Sequence, residues 1–554
     1  MLTLPLEPTD DRANPLFKDV KSCTRWLGQF QMTDVSGAHA TLLTQLNELN
    51  RFPMRGLERW HILEQLRETV YAVQAEYAKK LLGKKLPLND KEFMIFVALN
   101  TLEQQMVIGY QRCLQALFAG DSRLDVVALC QRCMHYTHRQ IFAYLHTGYE
   151  VSGKLWQQLH TLYAFSEEQE FQTQTVPDYD EKNKNQNAKY QSTKHQSSCH
   201  AIYVQTLLMA YARPQELTRK QSHLLERWLA QWSTSITVAH TATVSRGDAL
   251  PLVADLSGMK GLQAINQAEQ STHLRYLAMM PMSKLLRVKT ILLQQGQSPK
   301  QVELGDVGSD IDCVELLNFL HQCWCERSGE DSPTHSGIAY QAHVCYGLEG
   351  IYAHLANKPF KVSTRSVNTM DTITRKRIAT LGHAGTEAGY GGAANFGQPL
   401  EVYEIIEASV LGAYLLRKSA DGVRLSRNQI VAARTGAGGN FKVGVISGVM
   451  VLSTGQLSLR VRYLPGAAQA VTLDSKGARA STAKKPAAAI LLSALAEVGI
   501  PASLLIPREW LLLGVMQETG QQEITQQDNQ KISVKLGFSV EKGADFERVS
   551  FTQV

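Results

Sequence analysis

Apolar residues recur every three to four positions through the first half of the chain and every two positions through much of its last third. Leu42, Leu43, Leu46 and Leu49 mark a short helix that stops at the Asn50–Pro53 turn. Leu57, Trp60, Leu63, Val70, Val73 and Tyr77 mark a longer one. Phe93–Phe118 and Leu124–Tyr149 predict two more, separated by Ala119-Gly120-Asp121-Ser122, and helices resume at Ala201–Ala212 and Thr218–Trp232. Long helices joined by short turns predict antiparallel neighbours, in a bundle or a helical-hairpin stack. Residues 1–36 read as a polar lead-in. The Gln-, Asn-, Lys- and Ser-rich run 167–200 reads as a mobile polar loop within a helical domain, 37–234. Residues 235–330 mix the strand-like Leu250–Leu256 with the helical Ser283–Gln295 and Asp312–Glu326, which predicts an α+β collar.

The cleanest period of two sets Leu457, Leu459, Val461 and Tyr463 on one face and Ser458, Arg460 and Arg462 on the other. Thr454–Gly455 supplies a turn before it, and Val443–Val451 a partner strand. Another apolar run, Gln429–Ala433, precedes a glycine-rich turn. Short strands at this spacing predict a small closed barrel over 335–475, closing near Val471. Beyond a polar linker, Ile532, Val534, Leu536, Phe538 and Val540 alternate strictly, which predicts a second small β unit over 486–554. The fold class is multidomain α+β: helices first, then two small β units.

Composition changes this picture little. A chain of 554 residues with 44% hydrophobic and 19% charged residues is ordinary globular protein with room for several domains. A net charge of +6 spread over that length is too weak to argue for nucleic acid. Nine irregularly spaced cysteines, and no basic–apolar leader at Met1–Lys18, fit a reducing cytoplasm. The most apolar stretch, Ala487–Ile506, carries Glu497 and Pro501 and does not read as a membrane span.

Candidate chemistry is sparse. Cys130-x-x-Cys133 with His135 and His138 is one pair where a zinc site needs four ligands, and on a helix the two thiols pack together as small apolar groups. Cys323 and Cys325 diverge on a helix. Asp306, Asp310 and Asp312 precede an apolar helix and suit its N-terminus. The glycine-rich stretches 382–397 and 434–440 match neither phosphate-binding frame, and no nucleophile elbow or zinc-protease motif occurs. Trp156, Leu159 and Tyr163 have the opening spacing of a tetratricopeptide repeat, but no second copy follows, so a packed helix face is the simpler reading. No catalytic residue, metal or cofactor is expected, and the chain reads as a non-enzyme.

One short motif points further. Glu407-Ala408-Ser409-Val410-Leu411-Gly412 is followed by an apolar strand, then VRLSRNQIVAAR, FKVGVISGV and LSLRVRYLPG. This order resembles a PilZ-type barrel, the bacterial domain that binds cyclic di-GMP, and the layout is similar to long proteobacterial proteins in which a degenerate PilZ-like barrel follows a helical half. The resemblance implies that Glu407, Ser409 and Gly412 form one lip of a dinucleotide site. The family's Arg-x-x-x-Arg element is missing between Ile338 and Glu407; Arg51-x-x-x-Arg55 has the spacing but lies in the helical half. The nearest substitutes are Lys361, Arg365, Arg375 and Arg377. The implied function is a cytoplasmic signalling protein that binds cyclic di-GMP through the barrel and a protein partner through the helical half. The alternative is a ligand-independent scaffold or chaperone-like adaptor that kept the fold and lost the ligand.

Overall fold

A computed structural model describes residues 6–177, 196–242, 244, 249–308, 311–326, 340–360, 400–436, 439–475, 486–510, 522–526 and 531–554. Contacts divide the chain into two units: Met1–Thr334 with the short segments Ala420–Arg424 and Met450–Gln456, and the remainder.

The first unit is mainly helical. Its helices are α1 (Val20–Gln29), α2 (Val35–Arg51), α3 (Gly56–Ala78), α4 (Asp90–Phe118), α5 (Val126–Thr147), α6 (Gly153–Glu168), α7 (Cys199–Tyr211) and α8 (Arg219–Trp232). Local chemistry fixes their ends. Asn89 and Glu92 form a capping box before α4, as Thr218 and Gln221 do before α8, each satisfying amides the first turn leaves open. Gly148 ends α5 at a φ of 73°, in the left-handed region that glycine adopts without penalty. The predicted lead-in is only partly right. Residues 20–29 form α1, because Asp19 and Ser22 cap it reciprocally and Cys23 buries itself in the core. The predicted 167–200 loop also narrows. Glu167 and Glu168 complete α6, β1 (Val176–Pro177) pairs antiparallel with β2 (Gln196–Ser197), and α7 starts at Cys199.

The predicted collar is not a separate body. The strands β3 (Val238–Ala239), β4 (Leu252–Asp255), β5 (Gln263–Ala264) and β6 (Leu274–Leu277) make a sheet of order β3-β6-β4-β5, followed by α9 (Met280–Gln294) and α10 (Cys313–His321). Leu252 and Ala254 of β4, Leu277 of β6, Leu286 of α9 and Leu316 of α10 join the same hydrophobic core as α1–α8. Two indoles stitch them in: Trp228 Nε1 donates to the Leu304 carbonyl at 3.0 Å and Trp324 Nε1 to the Leu208 carbonyl at 3.2 Å. Asp312 caps α10 by accepting from the amides of Val314 and Glu315. Asp310 lies outside the described residues. Cys130 and Cys133 are fully buried in this core, and Trp156, Leu159 and Tyr163 are buried along α6.

The second unit holds two closed barrels. The first runs β7 (Gln341–Tyr346), β8 (Glu401–Ala408), β9 (Gly412–Arg417), β10 (Ile430–Thr435), β11 (Lys442–Val451) and β12 (Leu457–Tyr463), in the closed order β10-β11-β12-β9-β8-β7. The alternation on β12 holds for its apolar face: Leu457, Leu459 and Val461 are buried and Arg462 is exposed, while Ser458 is buried as well. The second barrel runs β13 (Ala468–Ser475), β14 (Ala487–Leu492), β15 (Ser503–Pro507), β16 (Gln522–Thr525), β17 (Lys531–Lys542) and β18 (Phe546–Gln553), in the order β13-β14-β15-β18-β17-β16. Val471 therefore does not close the first barrel. It sits on β13, which pairs with β14 and β16, so the division between barrels falls before Ala468. Helix α11 (Gly347–Ala356) follows β7, and its Leu348 and Ile351 share one apolar cluster with Ile430 of the first barrel and Ile490, Leu505 and Phe546 of the second.

Candidate ligand-binding lip of the first barrel

The segment Glu407 to Gly412 is the hairpin between β8 and β9. Ser409 closes it three ways. Its amide donates to the Gly412 carbonyl at 2.8 Å, and its Oγ accepts from the amides of Leu411 and Gly412, each at 3.2 Å. A serine does this because its short hydroxyl reaches its own backbone two and three residues on. Gly412 answers a different demand. A Cβ there would collide with the Val461 carbonyl oxygen, so only glycine lets β9 approach β12 at this point. The Tyr463 amide then donates to the Leu411 carbonyl at 2.8 Å and carries the ladder into the turn. Between the serine and the glycine, Val410 and Leu411 stand 86% and 79% exposed, an apolar tip facing solvent.

Register brings cations to this turn. Gly412 pairs with Arg462, and Tyr414 pairs with Arg460 on one side and Glu407 on the other. Cross-strand partners share a face. The Arg460 guanidinium lies over the Tyr414 ring, 4.6 Å from its centroid, and the half-exposed Arg462 forms an ion pair with Glu541 of the second barrel. The Lys442 ammonium sits over the Tyr463 ring at 5.2 Å. The outer face beside the hairpin thus carries one carboxylate, two guanidinium groups and a tyrosine ring.

Three of the sequence-predicted residues, Glu407, Ser409 and Gly412, are brought together. Lys361, Arg365, Arg375 and Arg377 lie outside the described residues. Arg460 and Arg462 were legible as the polar face of β12, but their partnership with Gly412 and Tyr414 was not. Nothing local signals it; the register of β9 against β12 creates it. Arg51 is engaged elsewhere, in ion pairs with Asp10 and Glu48.

A buried polar cluster stiffens the same barrel. Tyr346 donates its hydroxyl to Glu401 at 2.9 Å and meets the Tyr403 hydroxyl at 2.6 Å, while Arg417 Nη1 pairs with Glu401 Oε2 at 2.7 Å. Burial, Tyr403 and the Glu401 carboxylate push the Tyr346 phenol far above its ordinary range, so it stays protonated as a donor. The cluster ties β7, β8 and β9 together at the ends of β8 and β9 away from the hairpin.

Burial pushes the thiols of Cys23, Cys113, Cys325 and Cys345 up to about 12 and that of Cys133 well above the ordinary value, and a hydrogen bond with Cys199, together with burial, does the same for Cys130, which keeps these six as thiols. Among the described residues, no three His, Cys, Asp or Glu side chains converge as a metal site, and no helix is long and apolar enough to cross a membrane.

Fold and site together define a class: a helical module followed by two small closed antiparallel barrels, the first with a hairpin lip flanked by guanidinium groups. Residues 21–242 match the family described as the N-terminal domain of the cyclic-di-GMP receptor FimW. That match covers α1–α8 and stops short of the barrels. No curated protein and no solved structure matches the chain.

Proposed function

We propose that the protein is a cyclic-di-GMP receptor, not an enzyme, whose first barrel binds the dinucleotide at the Glu407–Gly412 lip and whose helical module binds a protein partner. The family match of the helical module supports the ligand class. The observation that carries the location is the pairing of the Ser409–Gly412 hairpin with Arg462 and, one pair along, of Tyr414 with Arg460.

Each part answers a feature of the ligand. Cyclic di-GMP carries two phosphates and two guanines. A guanidinium pairs bidentately with a phosphate or with the guanine O6/N7 edge, and also stacks on a base. Arg460 and Arg462 supply that chemistry from β12, and Lys361, Arg365, Arg375 and Arg377 are proposed to add to it. Tyr414 offers a stacking surface. The Glu407 carboxylate, an acceptor only, suits guanine N–H donors and repels phosphate, which orients the base toward it. Gly412 leaves the backbone open to close approach. A receptor for an intracellular messenger works in the cytoplasm, in keeping with nine cysteines none of which forms a disulfide.

The test is calorimetric titration of cyclic di-GMP into the full chain, beside a Ser409→Ala, Gly412→Ala variant and an Arg460→Gln, Arg462→Gln variant. Saturable binding at micromolar or lower concentration, lost in both, is the expected result. Binding retained in both variants moves the site elsewhere. No heat and no thermal shift with the natural sequence overturns the receptor reading and leaves a ligand-independent scaffold.

A further inference from the structure

The helical module contains a cleft of about 830 Å³ lined from α2, α4 and α6. Seven of its fifteen lining residues are Asn or Gln, and none is aromatic. Both facts discriminate between ligands. A side-chain amide carries a donor and an acceptor, the same pair a peptide unit presents, so a row of amides can satisfy an extended backbone that has no strand partner. A nucleotide would instead call for an aromatic ring on which its base stacks, and the cleft offers none.

The amides are built in, not scattered. Asn50 is only 2% exposed, and its Nδ2 donates to the Gln105 carbonyl at 2.8 Å and to Gln105 Oε1 at 2.9 Å. Its Oδ1 accepts no hydrogen bond among the described residues. Asn47, Gln104 and Gln157 line the cleft from the three helices around it.

Charge adds direction. Arg51 lines the cleft but is held by Asp10 and Glu48. Arg112 and Lys154 supply two further cations to the cleft, against the single acidic lining residue Glu7. Arg112 gives Nη2 to the Glu7 carbonyl at 2.7 Å, and its Nε has no partner among the described residues. A ligand satisfying this cleft carries peptide units and at least one carboxylate.

We infer that this cleft is the partner groove of the helical module and takes an extended peptide segment bearing an acidic side chain. The inference rests on the reading that the helical module binds a protein. The experiment selects random twelve-residue peptides, displayed on phage, against the full chain, then measures one labelled, selected peptide by fluorescence anisotropy. Selected sequences should be enriched in Asp and Glu. Lys154→Glu and Gln157→Ala change exposed residues, and each should weaken the peptide about tenfold or more; Lys154→Glu should also favour a copy of the peptide with Lys in place of its acid. Hydrogen exchange with and without the peptide separates the two readings. Protection on α2, α4 and α6 supports the cleft. Protection on other helices, with both variants binding normally, overturns the cleft while the partner role of the module stands. No enriched peptide, or enrichment without acidic residues, overturns the proposed chemistry. Cyclic-di-GMP titration of the same variants should be unchanged, since their residues lie outside the barrel lip.

Discussion

Ser409 and Gly412 hold one hairpin for different reasons, and single substitutions separate them. Ser409→Ala removes three side-chain hydrogen bonds in an exposed turn, a loss of about 1 kcal/mol. Gly412→Ala drives a methyl group into the Val461 carbonyl, which must push β9 from β12 and costs about 1–3 kcal/mol. Equilibrium urea unfolding should rank glycine above serine; a Gly412→Ala variant as stable as the natural sequence would show that the close approach at Gly412 carries no energy. The ligand consequence differs too. Ser409→Ala leaves Arg462 opposite position 412, whereas Gly412→Ala disturbs that pair, so the glycine change should cost more affinity for cyclic di-GMP.

At the scale of elements, the helical module holds several histidines neutral. His160 Nε2 faces the Lys260 carbonyl at 2.7 Å, which can only accept, so that nitrogen carries the proton and Nδ1 accepts from Tyr203 at 2.8 Å. Burial lowers the pKa of His160 and of His200, and brings His39 down to about 4. The unfolded chain protonates histidine near about 6.5. It therefore binds more protons than the fold in the interval below, and stability rises with pH there. The full contribution is present above the unfolded value and is lost as pH falls from about 6.5 toward 4. Melting temperatures of the full chain between pH 7.5 and 5 should fall with acid, and His39→Gln should flatten the slope. A slope unchanged in that variant would show that His39 is not held neutral. The β strands teach a related lesson about local reading. Ile532, Val534 and Leu536 keep their inward alternation, yet Phe538 is 73% exposed. Register shifts after Leu536 and again after Ser539 turn the strand over, because an extra residue in one strand swaps its faces. Periodicity announces the strand but not the bulge.

At the scale of the whole chain, the net charge of +6 is spread too thinly to steer a ligand, so any salt dependence of the proposed site comes from its own guanidinium groups. Raising salt from about 50 to 500 mM shortens the screening length to well under 10 Å and should weaken cyclic-di-GMP binding several-fold. Affinity indifferent to salt would mean that the phosphates are not what the guanidinium groups hold. Much of this architecture was legible beforehand. The helices α2–α5, α7 and α8 follow from apolar spacing and from caps such as Asn89 and Thr218, and β10–β12 from alternation and turns. These features depend on residues within about four positions of one another, where the chain itself sets the geometry. What the sequence could not assign depends on distant partners. Val471 looks like the close of one barrel and belongs to another, since only its pairing with β14 and β16 distinguishes the two. Residues 235–330 look like a separate collar, yet Leu252, Leu277, Leu286 and Leu316 among them are buried in the helical core. The hairpin motif was readable at Glu407, Ser409 and Gly412, and the outward face of β12 at Arg460 and Arg462. Alternation along the chain was enough to mark β12 as a strand and to set Leu457, Leu459 and Val461 against Arg460 and Arg462. Only the tertiary structure decided that Arg462 stands opposite Gly412, because strand register is set by which distant strands bury their apolar faces together, not by any neighbour along the chain.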